Sequence, residues 1–116
     1  MKDSSFPRYL RLLNFKDFVN VNRLGQRIHT AHFTLIVRQN GLGVDRLGIT
    51  VSKKIGNAVK RNKVKRLIRE WFRLHKYDFP QGYDMVIVAK NGAHGLNFWK
   101  IEEEFGEIIV DKKFRL

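Results

Sequence analysis

One stretch of this chain, from residue 57 to residue 76, combines the spacing of a buried helix face with a dense run of positive charge. The apolar residues recur at the i, i+3, i+4, i+7, i+8 interval of a helix with one side in a core: Val64, Leu67, Ile68, Trp71 and Phe72. At about 100° per residue, the opposite arc carries polar residues and one small one: Asn62, Lys65, Arg66, Arg69, Arg73 and Ala58. The pattern predicts an amphipathic helix from Asn57 to about Lys76.

The cations of this segment are not neutralised within it. Residues 51–70 hold eight Lys or Arg and a single acid, Glu70. Cations without acidic neighbours four residues away repel one another unless a polyanion is present. Asn57 suits a helix N-cap, and the free N–H groups that follow, with Lys53 and Lys54 upstream, attract anions such as phosphate. We therefore interpret the segment as a nucleic-acid contact and not as a solvated or membrane-bound face.

Composition supports a folded partner of a polyanion. The 116 residues suffice for one domain with a core, and a hydrophobic fraction of 43% argues against disorder despite a net charge of +12. Nucleic acid is the expected partner of so basic a domain. Cysteine is absent, and the chain has neither the apolar run of a signal peptide nor that of a membrane span. These features predict a cytoplasmic protein that does not bind membranes.

Periodicity and turn signals predict the order of elements along the chain. Residues 1–8 are expected to be a loose lead-in to a single RNA-binding domain, 1–116. The predicted elements are a helix at Tyr9–Arg23, strands at Gln26–Gln39 and Arg46–Ser52, the basic helix, a strand at Tyr83–Lys90, and a helix at Leu96–Lys113. We expect the first two strands to pair antiparallel through the turn at 40–43, Tyr83–Lys90 to be an inner strand, and Asn97 to cap the last helix.

Alternation within the first predicted strand gives it two different faces. One face is apolar: Ala31, Phe33, Leu35 and Val37. The other is mixed: Thr30, His32, Thr34, Ile36 and Arg38. The predicted fold class is α+β, with the order helix–strands–helix–strand–helix and one mostly antiparallel sheet with helices packed on it.

The side chains do not predict protein-based catalysis. A nuclease site needs clustered His or carboxylate groups for acid–base work or metal binding. The four His residues are isolated in sequence, and His29 and His32 would face opposite sides of one strand. The acids of the last helix are interpreted as an exposed acidic face: Glu102, Glu103, Glu104 and Glu107. We expect neither a catalytic residue nor a metal ligand.

Residues 48–70, GITVSKKIGNAVKRNKVKRLIRE, resemble the signature of the protein subunit of bacterial ribonuclease P. In that family a glycine-hydrophobic strand, a Ser-Lys-Lys loop and an Arg-Asn-Arg helix follow in this order. The third position of the last motif is Lys63 here, which keeps the charge but lacks the planar fork of Arg. The resemblance extends to the Asp-Phe pair at Phe18, to the strand from Ile28 to Arg38 and to the strand Tyr83–Lys90. It implies a left-handed βαβ crossover, as in ribosomal protein S5 domain 2.

The resemblance implies that the protein assists a catalytic RNA. Such proteins bind ribonuclease P RNA, which uses Mg²⁺ to remove the 5′ leader of precursor tRNA, and we expect a monomer in a 1:1 ribonucleoprotein. The implied contacts with the catalytic RNA are Lys53, Lys54, Asn57, Lys60, Arg61, Asn62, Lys65, Arg66 and Arg69. The implied cleft for the single-stranded leader consists of Phe18, Asn22, Thr34, Ile36, Arg38 and Lys90. Stacking there would be tolerant of sequence.

One departure concerns the leader cleft. Many relatives have a second aromatic residue four positions after Phe18, where this chain has Asn22. Stacking on the leader is therefore expected either to be weaker or to shift to Phe15 or Tyr9. Two other hypotheses remain open on the residues alone. The protein would either bind ribosomal or other structured RNA without processing it, or be a protein-only nuclease that uses Glu103, Glu107 or His94.

Overall fold

The computed structural model describes residues 14–75 and 82–110, apart from the side chains of 107–110. The elements in chain order are α1 (Phe15–Leu24), β1 (Gln26–His29), β2 (Phe33–Gln39), β3 (Arg46–Thr50), α2 (Ala58–His75), β4 (Tyr83–Ala89) and α3 (Phe98–Val110). Two 3₁₀ turns, Lys53–Ile55 and Ala93–Gly95, precede α2 and α3. This arrangement confirms the predicted α+β class and the order of helices and strands.

The first helix is shorter than predicted at its start. Asn14 has an extended backbone and its side-chain oxygen accepts from the N–H of Asp17 at 2.8 Å, so it caps α1 and the helix begins at Phe15. The predicted start at Tyr9 lies outside the described residues. The end is confirmed, because the N–H of Gly25 bonds to Val21. A Cβ at Gly25 would lie 2.6 Å from the Val21 carbonyl oxygen and 2.8 Å from Ile36, so only glycine allows α1 to approach the sheet this closely.

The single strand predicted at Gln26–Gln39 is instead a hairpin of β1 and β2. The chain turns at Thr30, whose N–H bonds to the carbonyl of Phe33 at 2.8 Å. The apolar alternation continues through the turn, and for that reason it did not reveal the reversal. The turn also separates the two His residues that were expected in one strand, because His29 ends β1 and His32 precedes β2.

Strand order in the sheet is β1-β2-β4-β3, which overturns the expected pairing of β2 with β3. Strand β4 lies between them, antiparallel to β2 and parallel to β3. The strand richest in apolar residues thereby takes a central position with both faces covered, as predicted for an inner strand. The β3–α2–β4 segment is a βαβ unit, and its left-handed sense remains a prediction from the resemblance.

The helices cover the two faces of the sheet unequally. Helices α2 and α3 cover the larger core, in which the ring of Phe105 lies 4.6 Å from that of Trp71 and 4.8 Å from that of Phe33. The predicted apolar face of α2 is confirmed there, with Leu67 at its edge. On the other face, α1 packs Val21 against Ile36 and Val86. This smaller core leaves part of the sheet uncovered.

Helix α3 is capped by Asn97 as predicted, but it begins at Phe98 and its acids are not all exposed. The Asn97 side chain accepts from the N–H of Lys100 at 2.9 Å. Glu104 contradicts the exposed acidic face. Its carboxylate accepts from the Thr30 hydroxyl, from the His32 N–H at 2.7 Å and from the His32 ring at 2.9 Å. It fastens the β1–β2 turn to α3.

Candidate nucleic-acid interface

The basic helix presents its polar side to solvent because its apolar side is buried against the sheet. Asn57 caps α2, with its side-chain oxygen accepting from the N–H of Lys60 at 3.0 Å. We define the cationic ridge as the predicted RNA-contact residues on α2 and the preceding loop: Lys53, Lys54, Asn57, Lys60, Arg61, Asn62, Lys65, Arg66 and Arg69. Lys65 and Arg61 are half-buried, and the other seven are exposed.

Four residues of the ridge form one continuous patch on α2. Asn62, Lys65, Arg66 and Arg69 are three or four positions apart, so each side chain neighbours the next on the helix surface. The patch ends at Arg73, whose guanidinium pairs with Glu70 at 2.7 Å. That contact raises the pKa of Arg73, chiefly through the hydrogen bond from its side chain to Glu70. The cations of α2 that precede Glu70 therefore face solvent without an acidic side chain to neutralise them.

The loop before α2 is built to hold two lysines outward. Ile55 is buried and anchors the 3₁₀ turn, while Lys53 and Lys54 beside it are exposed. Gly56 has a φ of 151°, a conformation that side chains rarely permit. Arg61 donates from Nη1 to the Gly56 carbonyl at 2.8 Å, so this predicted RNA contact also braces the loop. The sequence did not reveal this 3₁₀ turn or the bracing role.

The other face of the sheet is only partly covered, because α1 lies over one end of the strands. We refer to the uncovered part beside α1 as the cleft. Helix α1 crosses from β3 to β1. Asp17, near its start, lies 3.2 Å from Arg46 of β3, and the carbonyl of Asn22, near its end, accepts from Arg27 of β1 at 2.8 Å. Arg46 also pairs with Asp84 of β4 at 2.7 Å. The hydrogen bond with Asp84 is the main reason that the pKa of Arg46 is raised. These contacts fix α1 across the sheet.

One row of residues across all four strands remains open beside α1. Strand register aligns His29 with Thr34, Thr34 with Val88, and Val88 with Thr50. Residues aligned in this way point to the same face. His29 and Thr50 are exposed, and Thr34 and Val88 are half-buried. We refer to His29, Thr34, Val88 and Thr50 as the open row.

Phe18 of α1 borders the open row. It is half-buried and packs, with Val88, against the smaller core. Asn22, one turn later, is exposed and donates from Nδ2 to the Phe18 carbonyl at 3.0 Å. The cleft therefore has an aromatic and amide wall on α1 and a floor of mixed polarity on the sheet.

Comparison with known proteins identifies the family of this chain. The family model described as Ribonuclease P matches residues 6–113. The chain belongs to the ribonuclease P protein family. It is 44% identical over 109 residues to the ribonuclease P protein component of Geotalea uraniireducens, covering 94% of this chain and 96% of that protein.

Solved structures of the ribonuclease P protein family share the fold. A Staphylococcus aureus RNase P protein mutant with defective mRNA degradation activity superposes with a TM-score of 0.83 at 32% identity, over 91% of this chain and 90% of that one. The Thermotoga maritima RNase P protein superposes with a TM-score of 0.77 at 32% identity, over 91% and 96% of the two chains. The α+β fold of this chain is therefore that of bacterial ribonuclease P proteins.

The structure brings together only some of the residues predicted for the leader cleft of this ribonuclease P protein. Phe18 and Asn22 lie on α1, and Thr34 lies in the open row of the same face of the sheet. Ile36 is only 1% exposed beneath α1, so its predicted contact with RNA is wrong. Arg38 aligns with Asp84, at the end of the sheet away from the open row.

Lys90, the last of the predicted cleft residues, has a structural contact. Its ammonium group donates to the Thr30 carbonyl at 2.7 Å and holds the β1–β2 turn. Sequence reasoning missed His29, Val88 and Thr50, which strand register places in one row with Thr34. Only a correct pairing of all four strands would have found them.

The acids and histidines that the structure describes do not assemble into a metal site. Within 14–75 and 82–110, no three His, Asp or Glu side chains form a group that could hold a metal ion. Glu103 is exposed on α3, and His94 lies in the turn before it, where its carbonyl accepts from Lys63 at 3.3 Å. The side chain of Glu107 lies outside the described residues. None of the described helices has the length and apolarity needed to cross a bilayer.

Proposed function

We propose that this protein binds ribonuclease P RNA through the cationic ridge and the 5′ leader of precursor tRNA through the cleft beside the open row. The RNA, with Mg²⁺, carries out the cleavage that leaves the mature tRNA 5′ end. The protein contributes binding and positioning, as a monomer in a 1:1 ribonucleoprotein of the cytoplasm.

Family membership supports the broad part of this proposal. A member of the ribonuclease P protein family acts in tRNA processing together with an RNA subunit and precursor tRNA. The observation that carries the finer part is the ridge, where exposed cations stand on one face of α2 without acid neighbours until Glu70. Phosphate contacts by such residues supply affinity and fix orientation.

The position of the cleft supports a second RNA contact. Thr50 ends the open row, and only two residues separate it from Lys53 at the start of the ridge. A folded RNA on the ridge and a single strand in the cleft would therefore meet at this corner. The cations between them would reduce the repulsion between the two phosphate backbones.

The use of the ionisable groups supports a non-catalytic role for the protein. Glu104 holds His32, and Glu102 lies 3.0 Å from His75. Burial raises the pKa of Glu104, but its hydrogen bonds with Thr30 and His32 outweigh burial and the pKa is lowered. The Glu104 carboxylate is therefore ionised and already hydrogen-bonded, so it is unsuited to transfer a proton at neutral pH. The donor set of the described residues does not fit a protein-held Mg²⁺, so we assign the ion to the RNA.

Reconstitution tests the proposal. Cleavage of precursor tRNA is measured at low Mg²⁺ with RNA alone, protein alone and both. We expect the combination to exceed RNA alone and the protein alone to be inactive. Arg69→Ala, on the exposed ridge, should weaken RNA binding by about 1–3 kcal/mol without lowering thermal stability.

Each contrary outcome has a distinct meaning. Cleavage by protein alone would indicate the protein-only nuclease, and the variants Glu103→Gln and His94→Ala would then locate its site. Absence of stimulation would indicate a structured-RNA binding protein without a processing role. Unchanged RNA binding by Arg69→Ala and Arg66→Ala would remove the ridge from the interface.

A further inference from the structure

The two ends of the cleft differ in chemistry. Phe18 packs with Val88 of β4, the strand next to β3, against the smaller core, and Phe15 lies one turn before Phe18 on α1. Phe15 is 82% exposed. At the other end the carbonyl of Asn22 accepts from Arg27, two residues before His29 on the same face of β1. The cleft is thus aromatic toward β3 and polar toward β1.

His29 is held in a defined orientation at the polar end. Its Nδ1 lies 3.2 Å from the hydroxyl oxygen of Thr34, the residue aligned with it on β2. A hydroxyl both donates and accepts, so it satisfies Nδ1 in either tautomer. The contact leaves Nε2, on the opposite edge of the imidazole, directed away from Thr34. The exposed ring therefore presents its Nε2 edge at the end of the open row.

We propose that His29, oriented by Thr34, is a specificity-determining residue that reads one nucleobase of the single strand in the cleft. The inference rests on the proposed function, because it requires the leader to occupy the cleft. Stacking on Phe15 and Phe18 accepts any base, since every base has a π-face. Single-stranded RNA is read by hydrogen bonds to base edges, and the Nε2 edge of His29 supplies such a contact. One leader position should show a base preference and its neighbours should not.

Internal competition between precursor tRNAs with randomised leaders tests this inference in the reconstituted holoenzyme. We expect the wild type to discriminate roughly 5- to 10-fold at one leader position, the size expected of one net hydrogen bond. His29→Ala and His29→Phe should both reduce that discrimination to within about twofold, the second because it keeps an aromatic ring but lacks Nε2. Thr34→Val should reduce it partly, since His29 remains but loses its anchor.

Matched controls separate this role from general damage. Thr50→Val lies at the other end of the open row and should leave the preference unchanged. Arg66→Ala should weaken assembly with the RNA subunit, and at saturating protein its base preference should equal that of the wild type. Unchanged discrimination in His29→Ala would overturn the inference. Unchanged discrimination in His29→Phe would show that the ring acts by stacking and not by hydrogen bonding, and it would also overturn the inference. Failure of the proposed function is distinct, because the wild-type protein would then not stimulate cleavage at all.

Discussion

The cationic ridge and the cleft are both assigned to RNA, but they are built in opposite ways. The ridge comes from one helix and the loop before it, and its residues are adjacent in sequence. The cleft takes one residue from each of four strands and its wall from α1. The ridge concentrates positive charge, whereas the open row contains two threonines, a valine and a histidine. In the proposed function, charge on the ridge supplies affinity and the cleft supplies local recognition.

This difference predicts different responses to salt. Binding through phosphate contacts weakens steeply as salt rises. Binding releases counterions, and their release is less favourable at a higher salt concentration. Stacking and hydrogen bonding in the cleft depend much less on ionic strength. Variants of the two regions should therefore separate affinity for the RNA subunit from dependence on the leader.

The largest expected effect follows from removing three ridge cations together. The variant Lys65→Ala, Arg66→Ala, Arg69→Ala should bind ribonuclease P RNA about 100-fold or more weakly, and the slope of log affinity against log salt should fall by about 2–3. Titration of the RNA at several salt concentrations measures both. Arg73→Ala is the matched control on the same helix, because Arg73 is already paired with Glu70. Equal losses in the two proteins would contradict a localised ridge.

The next largest effect is a loss of stability, which should affect the cleft and not the ridge. Glu104→Ala should lower the free energy of unfolding by about 2–3 kcal/mol, because three hydrogen bonds to the β1–β2 turn are lost. His29 immediately precedes this turn, so leader dependence should fall while RNA affinity of the ridge is kept. Glu103→Gln on the exposed side of α3 should change stability by less than about 0.5 kcal/mol. Denaturant unfolding measures both variants.

The same carboxylate predicts a pH dependence with a definite sign. The pKa of Glu104 is lowered in the folded protein. Its contribution to stability is therefore complete above the ordinary Glu pKa of about 4.3 and is lost as pH falls through the folded pKa. The difference in stability between wild type and Glu104→Gln should shrink as pH falls through this window. A difference that grows on acidification would contradict the ionised state of Glu104.

A smaller effect is expected from the exposed aromatic of the cleft wall. Phe15→Ala should weaken leader-dependent affinity about fivefold or more, as for the loss of one base-stacking partner. Its melting temperature should not change, because the ring is 82% exposed. Leu24→Ala is the control, since Leu24 is also an exposed apolar residue of α1, at its other end. Precursor tRNAs with and without a leader give the measurement, and equal effects on both would place Phe15 outside the cleft.

The smallest effect concerns the departure from the family motif. Lys63→Arg should change affinity for the RNA subunit by less than about twofold. The Lys63 ammonium donates to the His94 carbonyl at 3.3 Å, a contact that a guanidinium also makes. A gain of tenfold or more in titration of the RNA would show that residue 63 contacts RNA directly and that the planar fork matters there.

The sequence predicted which side of α2 is buried and which is exposed, but it predicted the arrangement around the cleft poorly. Local spacing placed Val64 and Ile68 in the core and Arg66 and Arg69 in solvent, because helical periodicity fixes both at once. Ile36 was misplaced, since alternation gives the face of a strand but not which end of that face α1 covers. Glu104 was misassigned to an exposed face, because its partners lie more than 70 residues away in sequence.

By itself the sequence determined the three helices, the strands β3 and β4, the apolar face of α2 and its cationic side, but not the hairpin of β1 and β2. These features follow from interactions between residues a few positions apart, so the periodicity of the side chains is enough to predict them. The tertiary structure decided that β4 separates β2 from β3, and with it which four residues align in the open row. Strand pairing is a choice among distant segments of similar pattern, and it is settled by the burial of the most apolar strand at the centre of the sheet.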